Sequence, residues 1–267
     1  MVEHCLREAG AVSSNLATPT MIPLFRRRPW HGLVAPHPPV SACCADGRYA
    51  MTKREPDTAA GLSLRAGSTD AEAVRRYYDA WAGDYDVTLV DWDYRAPNDC
   101  ADVLMPALAG DARVLDVGCG TGLMGAVLRG RSAALRIDGL DISAASLEQA
   151  AARGVYETLT AHDLQSLPLP VSRGAYDAAV CVGVLTYLPD TGAVLRDLCR
   201  CVRPGGAVAF TQRSDLWPAR GMDGVLAAMA EEGLCTVTHV SAPRPYLPGN
   251  ADFGDDIEVI HTLLTVA

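Results

Sequence analysis

The sequence predicts an α/β fold: a mainly parallel, seven-stranded sheet with helices on both faces and an antiparallel edge. Three observations carry this reading. From residue 112 onward, short apolar runs of strand length alternate with segments of helical length, the pattern of repeated βαβ units. The first run, Val114-Leu115-Asp116-Val117, passes straight into Gly118-Cys119-Gly120-Thr121-Gly122, a loop stripped of side-chain bulk, and then into a helical segment. The last two strand-like runs follow one another with no long helix between them, which suits antiparallel neighbours.

The elements follow in order. Thr69-Asp70-Ala71-Glu72 fits a capping box, with Thr69 as N-cap and Glu72 reaching back, and opens a helix through Tyr77, Tyr78 and Trp81. A second helix is expected over 95–110, capped by Asn98 and stopped by Gly110. Strands are expected over 113–118, 135–143, 156–164, 175–185, 207–213, 234–243 and 256–266. The run over 175–185 is the most apolar, as a central parallel strand should be. Helices are expected over 122–130, 143–154, 190–202 and 221–233, the third closed by an Arg203-Pro204-Gly205-Gly206 turn.

Residues 1–68 lack sustained periodicity and are rich in Pro, Ser, Ala and Arg. They are expected to be a disordered tail, or residue of a start placed too early, since "MTKREPDT" from Met51 reads as an ordinary N-terminus. Arg26-Arg27-Arg28 is not followed by the apolar segment that a secretory or twin-arginine signal needs. The domain that carries function is therefore expected over 69–267, with 69–111 as an N-terminal helical lid.

Charge and cysteines narrow the partners. The chain has a net charge of −9, and residues 51–267 hold 18 Arg and Lys against 29 Asp and Glu. Such a surface repels phosphate backbones, so nucleic acid is not an expected partner. No apolar run reaches membrane-spanning length, so no membrane partner is expected either. The nine cysteines are odd in number and form no CxxC pair, the usage of a reducing compartment, and the expected location is cytoplasmic. No metal-binding signature is visible.

Chemistry enters at the strand ends. The glycines are spaced Gly118-x-Gly120-x-Gly122, not the GxGxxG of a dinucleotide site. Asp116 stands two residues before the loop. A carboxylate there repels a pyrophosphate but attracts an ammonium or sulfonium, by about 4 kcal/mol at 4 Å with a surface-like dielectric. Asp141 ends the second strand, where a carboxylate can accept both hydroxyls of a ribose. Asp163, after the third strand, can accept from the exocyclic amine of an adenine. Any one of these acids reads equally as a helix cap or turn residue. Three in succession beside a glycine loop describe an ammonium, a ribose and an adenine, which together make S-adenosyl-L-methionine.

"VLDVGCGTG" resembles motif I of the class I S-adenosylmethionine-dependent methyltransferases. "LDIS", "AHDLQSLPLP", "YDAAVCVGVLTYLPD" and "LRDLCRCVRPGGAVAFTQR" are similar to that family's later motifs in order. The N-terminal "YYDAWAGDYD" and "YRAP" resemble the Williams–Beuren-region methyltransferase-like proteins. The resemblance implies a Rossmann-like fold and methyl transfer by in-line displacement to a small-molecule acceptor, or to a protein side chain. It implies that Gly118, Gly120 and Gly122 line the methionine moiety, with Asp116 neighbouring the amino group. Cys119, within that loop, needs no special role. Asp141 would hold the ribose, Ile142 and Leu164 pack on adenine, Asp163 meet its amine, and Val182 lie beneath the sulfonium. Tyr78, Trp81 and Tyr85 would form the lid, or serve as core aromatics.

His162, Tyr187, Asp91 and Asp93 are the candidate bases for an acceptor that must lose a proton. "VGVLTY" stands where an (N/D)PPY would mark adenine or glutamine methylation. Two other readings fit the same motifs: a protein that binds the cofactor without an acceptor site, and an NAD(P)-linked oxidoreductase.

Overall fold

The computed structural model describes residues 64–253 and 256–267. The expectation for residues 1–63 lies outside them. Leu64, ahead of the expected domain start, is already buried in the core.

The helices are α1 (Ala71–Trp81), α2 (Tyr85–Asp91), α3 (Ala96–Leu104), α4 (Leu123–Arg131), α5 (Ala144–Ala152), α6 (Thr191–Cys201), α7 (Leu216–Ala219) and α8 (Met222–Glu231). The strands are β1 (Arg113–Val117), β2 (Arg136–Asp141), β3 (Thr158–Ala161), β4 (Tyr176–Cys181), β5 (Val202–Arg213), β6 (Cys235–Val240), β7 (Arg244–Pro245) and β8 (Glu258–Val266). They form one sheet in the order β3-β2-β1-β4-β5-β8-β6, and the two-residue β7 pairs with β8 off this path. It is an addition to the seven strands expected. β1 to β5 are parallel, and β8 is antiparallel to both β5 and β6. β8 therefore inserts between β5 and β6, and β6 takes the edge.

Successive strand residues point to opposite faces, so each central strand feeds two cores. Leu115, Val208 and Phe210 pack with Leu195 and Leu198 of α6 and Met229 of α8. Val114, Ala178, Val180 and Ala209 pack with Leu104 of α3 and Leu128 of α4. This double burial explains why β4 reads as an unbroken apolar run. A third cluster joins α1 and α2 to Trp92, Leu247, Phe253 and Tyr187.

Several boundaries differ from the sequence expectation. The N-cap of α1 is Asp70, whose carboxylate accepts from the Ala73 amide at 3.0 Å; Thr69 lies one residue too early. Glu72 turns outward to Arg75 at 2.7 Å instead of closing a capping box. α3 starts at Ala96 with Pro97 in its first turn, where a missing N–H costs nothing, so Asn98 lies inside the helix. It ends at Leu104, ahead of Pro106, and not at Gly110. The Arg203–Gly206 segment, expected as a turn, lies inside the span of β5 as a bulge: the ladder to β4 passes from Val202 directly to Ala207, and Gly205 has φ +74°. α2 was not foreseen: of its residues only Leu89 is buried, while Val87 and Val90 face solvent, so it shows no amphipathic stripe.

Phe210 is fully buried at the centre of β5. Phe210→Ala is expected to lower unfolding free energy by about 3–5 kcal/mol. Urea denaturation measures it, and a loss below about 1 kcal/mol would show that the helices over this face, not the sheet residue, set the packing.

Candidate active site

β1, β2 and β4 end at one edge of the sheet. The strand order reverses there, because β1 passes outward to β2 on one side while β4 lies on the other. Loops leaving neighbouring strands in opposite directions open a crevice. The crevice here is a cleft of about 700 Å³, its open mouth included, within the range of cofactor pockets.

The glycine loop forms its floor. Gly118 has φ +71°, and a Cβ there would stand 2.3 Å from Cγ2 of Val184, so both conformation and space require glycine. The amides of Gly118 and Cys119 donate to the Leu140 carbonyl at 2.8 and 3.0 Å, which ties the loop to β2. Gly120 has φ +52°, and a Cβ there would meet nothing within 4 Å. Its backbone lies open on the cleft wall. Gly122 starts α4 at φ +90° and packs against Tyr156, Arg153 and Ala150; it does not line the cleft. Cys119 also points away from it, buried against the backbone at Gly139, and burial pushes its thiol far up, so it is an inert packing group.

Asp141 organises the site. Its Oδ2 accepts from the Gly120 amide and its Oδ1 from the Ser143 amide, both at 2.8 Å. The Ser143 hydroxyl caps α5 through the Ser146 amide at 3.0 Å and donates to Asp79 of α1 at 2.7 Å. Burial pushes the Asp141 carboxyl up, against the pull of these amides. Asp141, Ile142, Asp163, Leu164 and Val182 all line the cleft, as expected. Asp163 lies two residues beyond β3, and its Oδ1 is oriented by the Gln165 amide at 2.9 Å.

Asp116 is placed differently from its neighbours. It is 1 % exposed and lies behind the glycine loop, in a side cavity that shares Gly118, Gly120 and Thr121 with the cleft. Tyr156 donates to its Oδ2 at 2.7 Å. Burial, with Asp141 nearby, pushes its carboxyl up to about 7 despite that hydrogen bond.

α1 and α2 are fastened to the cleft from two sides. Asp79 holds α1 to Ser143, while Asp86 of α2 accepts from Thr121 at 2.6 Å and pairs with Arg153. Tyr78 and Tyr85 reach the cleft wall, but Trp81 is buried beneath them with its ring 4.7 Å from that of Tyr85. Beyond Tyr78, Tyr85 and Tyr187 lies a second, smaller chamber, onto which Trp81 opens. Burial pushes the phenols of Tyr78, Tyr85 and Tyr94 well up, so they are neutral donors.

Of the candidate bases, only Tyr187 lines the cleft, with its hydroxyl accepting from Tyr78 at 2.9 Å. The ring of His162 turns to the Ser166 carbonyl at 2.9 Å, outside the cleft. Asp91 and Asp93 are exposed at and beyond the end of α2. The sequence reading missed Thr121, Ser146 and Gln165 in the cleft, and Tyr94, Arg213 and Tyr246 in the chamber. Thr121, Gln165, Arg213 and Tyr94 lie inside the stretches "VLDVGCGTG", "AHDLQSLPLP", "AVAFTQR" and "YRAP", whereas Ser146 and Tyr246 lie in none of them.

Residues 114–206 match the family model described as "Methyltransferase domain". The chain is 35 % identical over 185 residues to methyltransferase-like protein 27 of Homo sapiens, across 67 % of this chain and 75 % of the human one. This chain belongs to the methyltransferase-like family of class I S-adenosylmethionine-dependent methyltransferases. This methyltransferase is also 32 % identical over 106 residues to a ubiquinone biosynthesis O-methyltransferase of Alkalilimnicola ehrlichii, across 37 % of this chain and 40 % of that one. Its fold is similar to that of geranyl diphosphate C-methyltransferase from Streptomyces coelicolor A3(2), with a TM-score of 0.55 at 15 % identity, covering 74 % of this chain and 98 % of that one. The Rossmann-like sheet is thus the family's, and S-adenosylmethionine is the methyl donor. The cleft fits it: the open Gly120 position leaves backbone for close approach, beside an acceptor-only carboxylate at Asp141.

The raised Asp116 carboxyl generates a pH test. Its folded pKa of about 7 stands above the ordinary 3.8, so the protonated form favours folding. That contribution is full below about pH 4 and is lost as pH rises through about 7, amounting to ~4 kcal/mol. Urea unfolding of ligand-free wild type and Asp116→Asn should give a stability difference that changes by this order across the window. A difference that stays flat with pH would contradict the assignment.

Proposed function

We propose that this methyltransferase acts on a small organic acceptor, seated in the chamber beyond Tyr78, Tyr85 and Tyr187. The observation that carries the reading is the shared wall: those three tyrosines and Gly183 line both the cofactor cleft and the chamber. A small recess walled by aromatic rings suits a small molecule better than a protein side chain, and the net charge of −9 disfavours nucleic acid. The ubiquinone biosynthesis relative is named for O-methylation in making a small molecule, which supports the same class.

In this reading Asp141 accepts from the ribose hydroxyls, Asp163 from the adenine amine, and Ile142 and Leu164 flank the ring. Gly118 and Gly120 offer backbone to the methionine moiety, while Asp116 acts through the loop from behind. S-adenosylmethionine supplies an electrophilic methyl carbon: an acceptor lone pair forms the new bond as the carbon–sulfur bond breaks and its electrons stay on sulfur. The chain holds the two reactants in line, with Val182 and Gly183 under the reacting centre, and the lid excludes water. The functional domain is 69–267 with its lid over 69–111, and Leu64 packs onto it. Six buried free cysteines among the described residues support a reducing, cytoplasmic setting, and no described helix is long and apolar enough to cross a membrane.

Thermal shift with S-adenosylhomocysteine against NAD(P) tests the cofactor site. Ligand at ~100 times its dissociation constant should add about 2.7 kcal/mol of stability. Asp141→Ala should weaken S-adenosylhomocysteine by about tenfold or more, since a charged acceptor is removed. A shift with NAD(P) alone, or an unchanged affinity in the variant, would overturn the reading.

A further inference from the structure

The chamber has an unusual wall chemistry. Tyrosine and tryptophan rings are joined by one guanidinium, Arg213, and no carboxylate, histidine or lysine stands among its lining residues. This holds in a chain whose net charge is −9. Arg213 ends β5, and its side chain is 5 % exposed. Its Nε and Nη2 donate to the Asp215 carboxylate at 3.0 and 2.7 Å, and its Nη1 to the Leu64 carbonyl at 2.8 Å. Those bonds use three of the five N–H groups of a guanidinium. Asp215 itself is 39 % exposed, so water screens the anion of the pair far more than the cation.

The cation also stands beside the wall that the two spaces share. Thr211, two residues before it on β5, accepts from the Gly183 amide at 2.8 Å, which fixes this strand end against the end of β4. A purely structural arginine would satisfy itself with Asp215, Leu64 and the Phe253 ring, whose centroid is 5.5 Å away. Arg213 lines this chamber as well, next to the cofactor cleft.

Resting on the reading of this chamber as the acceptor site, we propose that the acceptor is a small planar carboxylic acid, its ring set among the tyrosines and its carboxylate held by Arg213. A neutral acceptor would offer no charge-assisted partner to the two N–H groups that Asp215 and Leu64 leave over. A phosphate dianion calls for more positive charge than one guanidinium that already serves Asp215. A monoanionic, planar group matches the geometry of the guanidinium edge and the absence of any acid in the walls.

Calorimetry on the wild-type chain saturated with S-adenosylhomocysteine tests this, using benzoate and 4-hydroxybenzoate against benzamide and 4-hydroxybenzamide. The acids should bind about tenfold or more tightly than their amides, and phenyl phosphate no better than benzoate. Arg213→Gln should erase that ratio while S-adenosylhomocysteine affinity stays within about twofold. The wild-type ratio needs no folded variant, so the test stands if Arg213→Gln fails to fold. Amides binding as well as acids, no binding by either, or a ratio that survives in the variant would overturn the proposal. S-adenosylhomocysteine heat without acid preference sinks this inference alone. Absence of that heat sinks the cofactor-site reading beneath it.

Discussion

Two backbone amides from different loops, Gly120 and Ser143, converge on the single carboxylate of Asp141. Each such charge-assisted bond contributes about 1.5–3 kcal/mol, enough to hold a carboxylate that burial disfavours. The consequence is spatial. The glycine loop after β1 is fixed to the end of β2, so the cleft floor and one wall move as a unit. Removing the carboxylate would leave both amides to find other partners. The anchor also leaves further lone pairs of the same oxygens open to a ligand.

The lid is attached to the same centre. Ser143 caps α5 and reaches Asp79 of α1, while Thr121 in the glycine loop reaches Asp86 of α2. Closing helices over the cleft is thus coupled to the loop that would touch the donor. Behind the lid, Tyr78, Tyr85 and Tyr187 separate two spaces of different character. One is edged by the carboxylates of Asp141 and Asp163, suited to a cationic nucleoside; the other has rings and a cation but no acid. The two spaces on either side of one aromatic wall thus differ in the charge they favour.

The sequence made legible what depends on residues close together in the chain. The Val114–Gly122 strand and loop, the acid ending β2 and the Asp163-Leu164 pair could be read because strand, turn and acid follow one another directly. Capping was misread by one position at Thr69, since Asp70 beside it is equally able to accept from an amide. α2 escaped because seven residues with one buried position carry no period. Asp116 is expected beside the amino group; the structure buries it behind the loop, bonded to Tyr156 forty residues away, a contact that nothing local in the sequence announces. The chamber was invisible for the same reason: Tyr94, Arg213 and Tyr246 come together only once β5 and the segment before β8 close against the lid. His162, Asp91 and Asp93 were named for their chemistry alone, and the backbone turns them elsewhere.

The double role of Asp141 is the claim on which the account stands, and a ligand-by-residue cycle addresses it directly. Calorimetry would compare S-adenosylhomocysteine with its 2′,3′-dideoxy analogue, each against wild type and Asp141→Asn. The account predicts that loss of the two hydroxyls costs wild type about 2 kcal/mol or more, and the variant much less, because the charged acceptor is already gone. An equal penalty in both proteins would mean that Asp141 only holds the loop and that the ribose is read elsewhere.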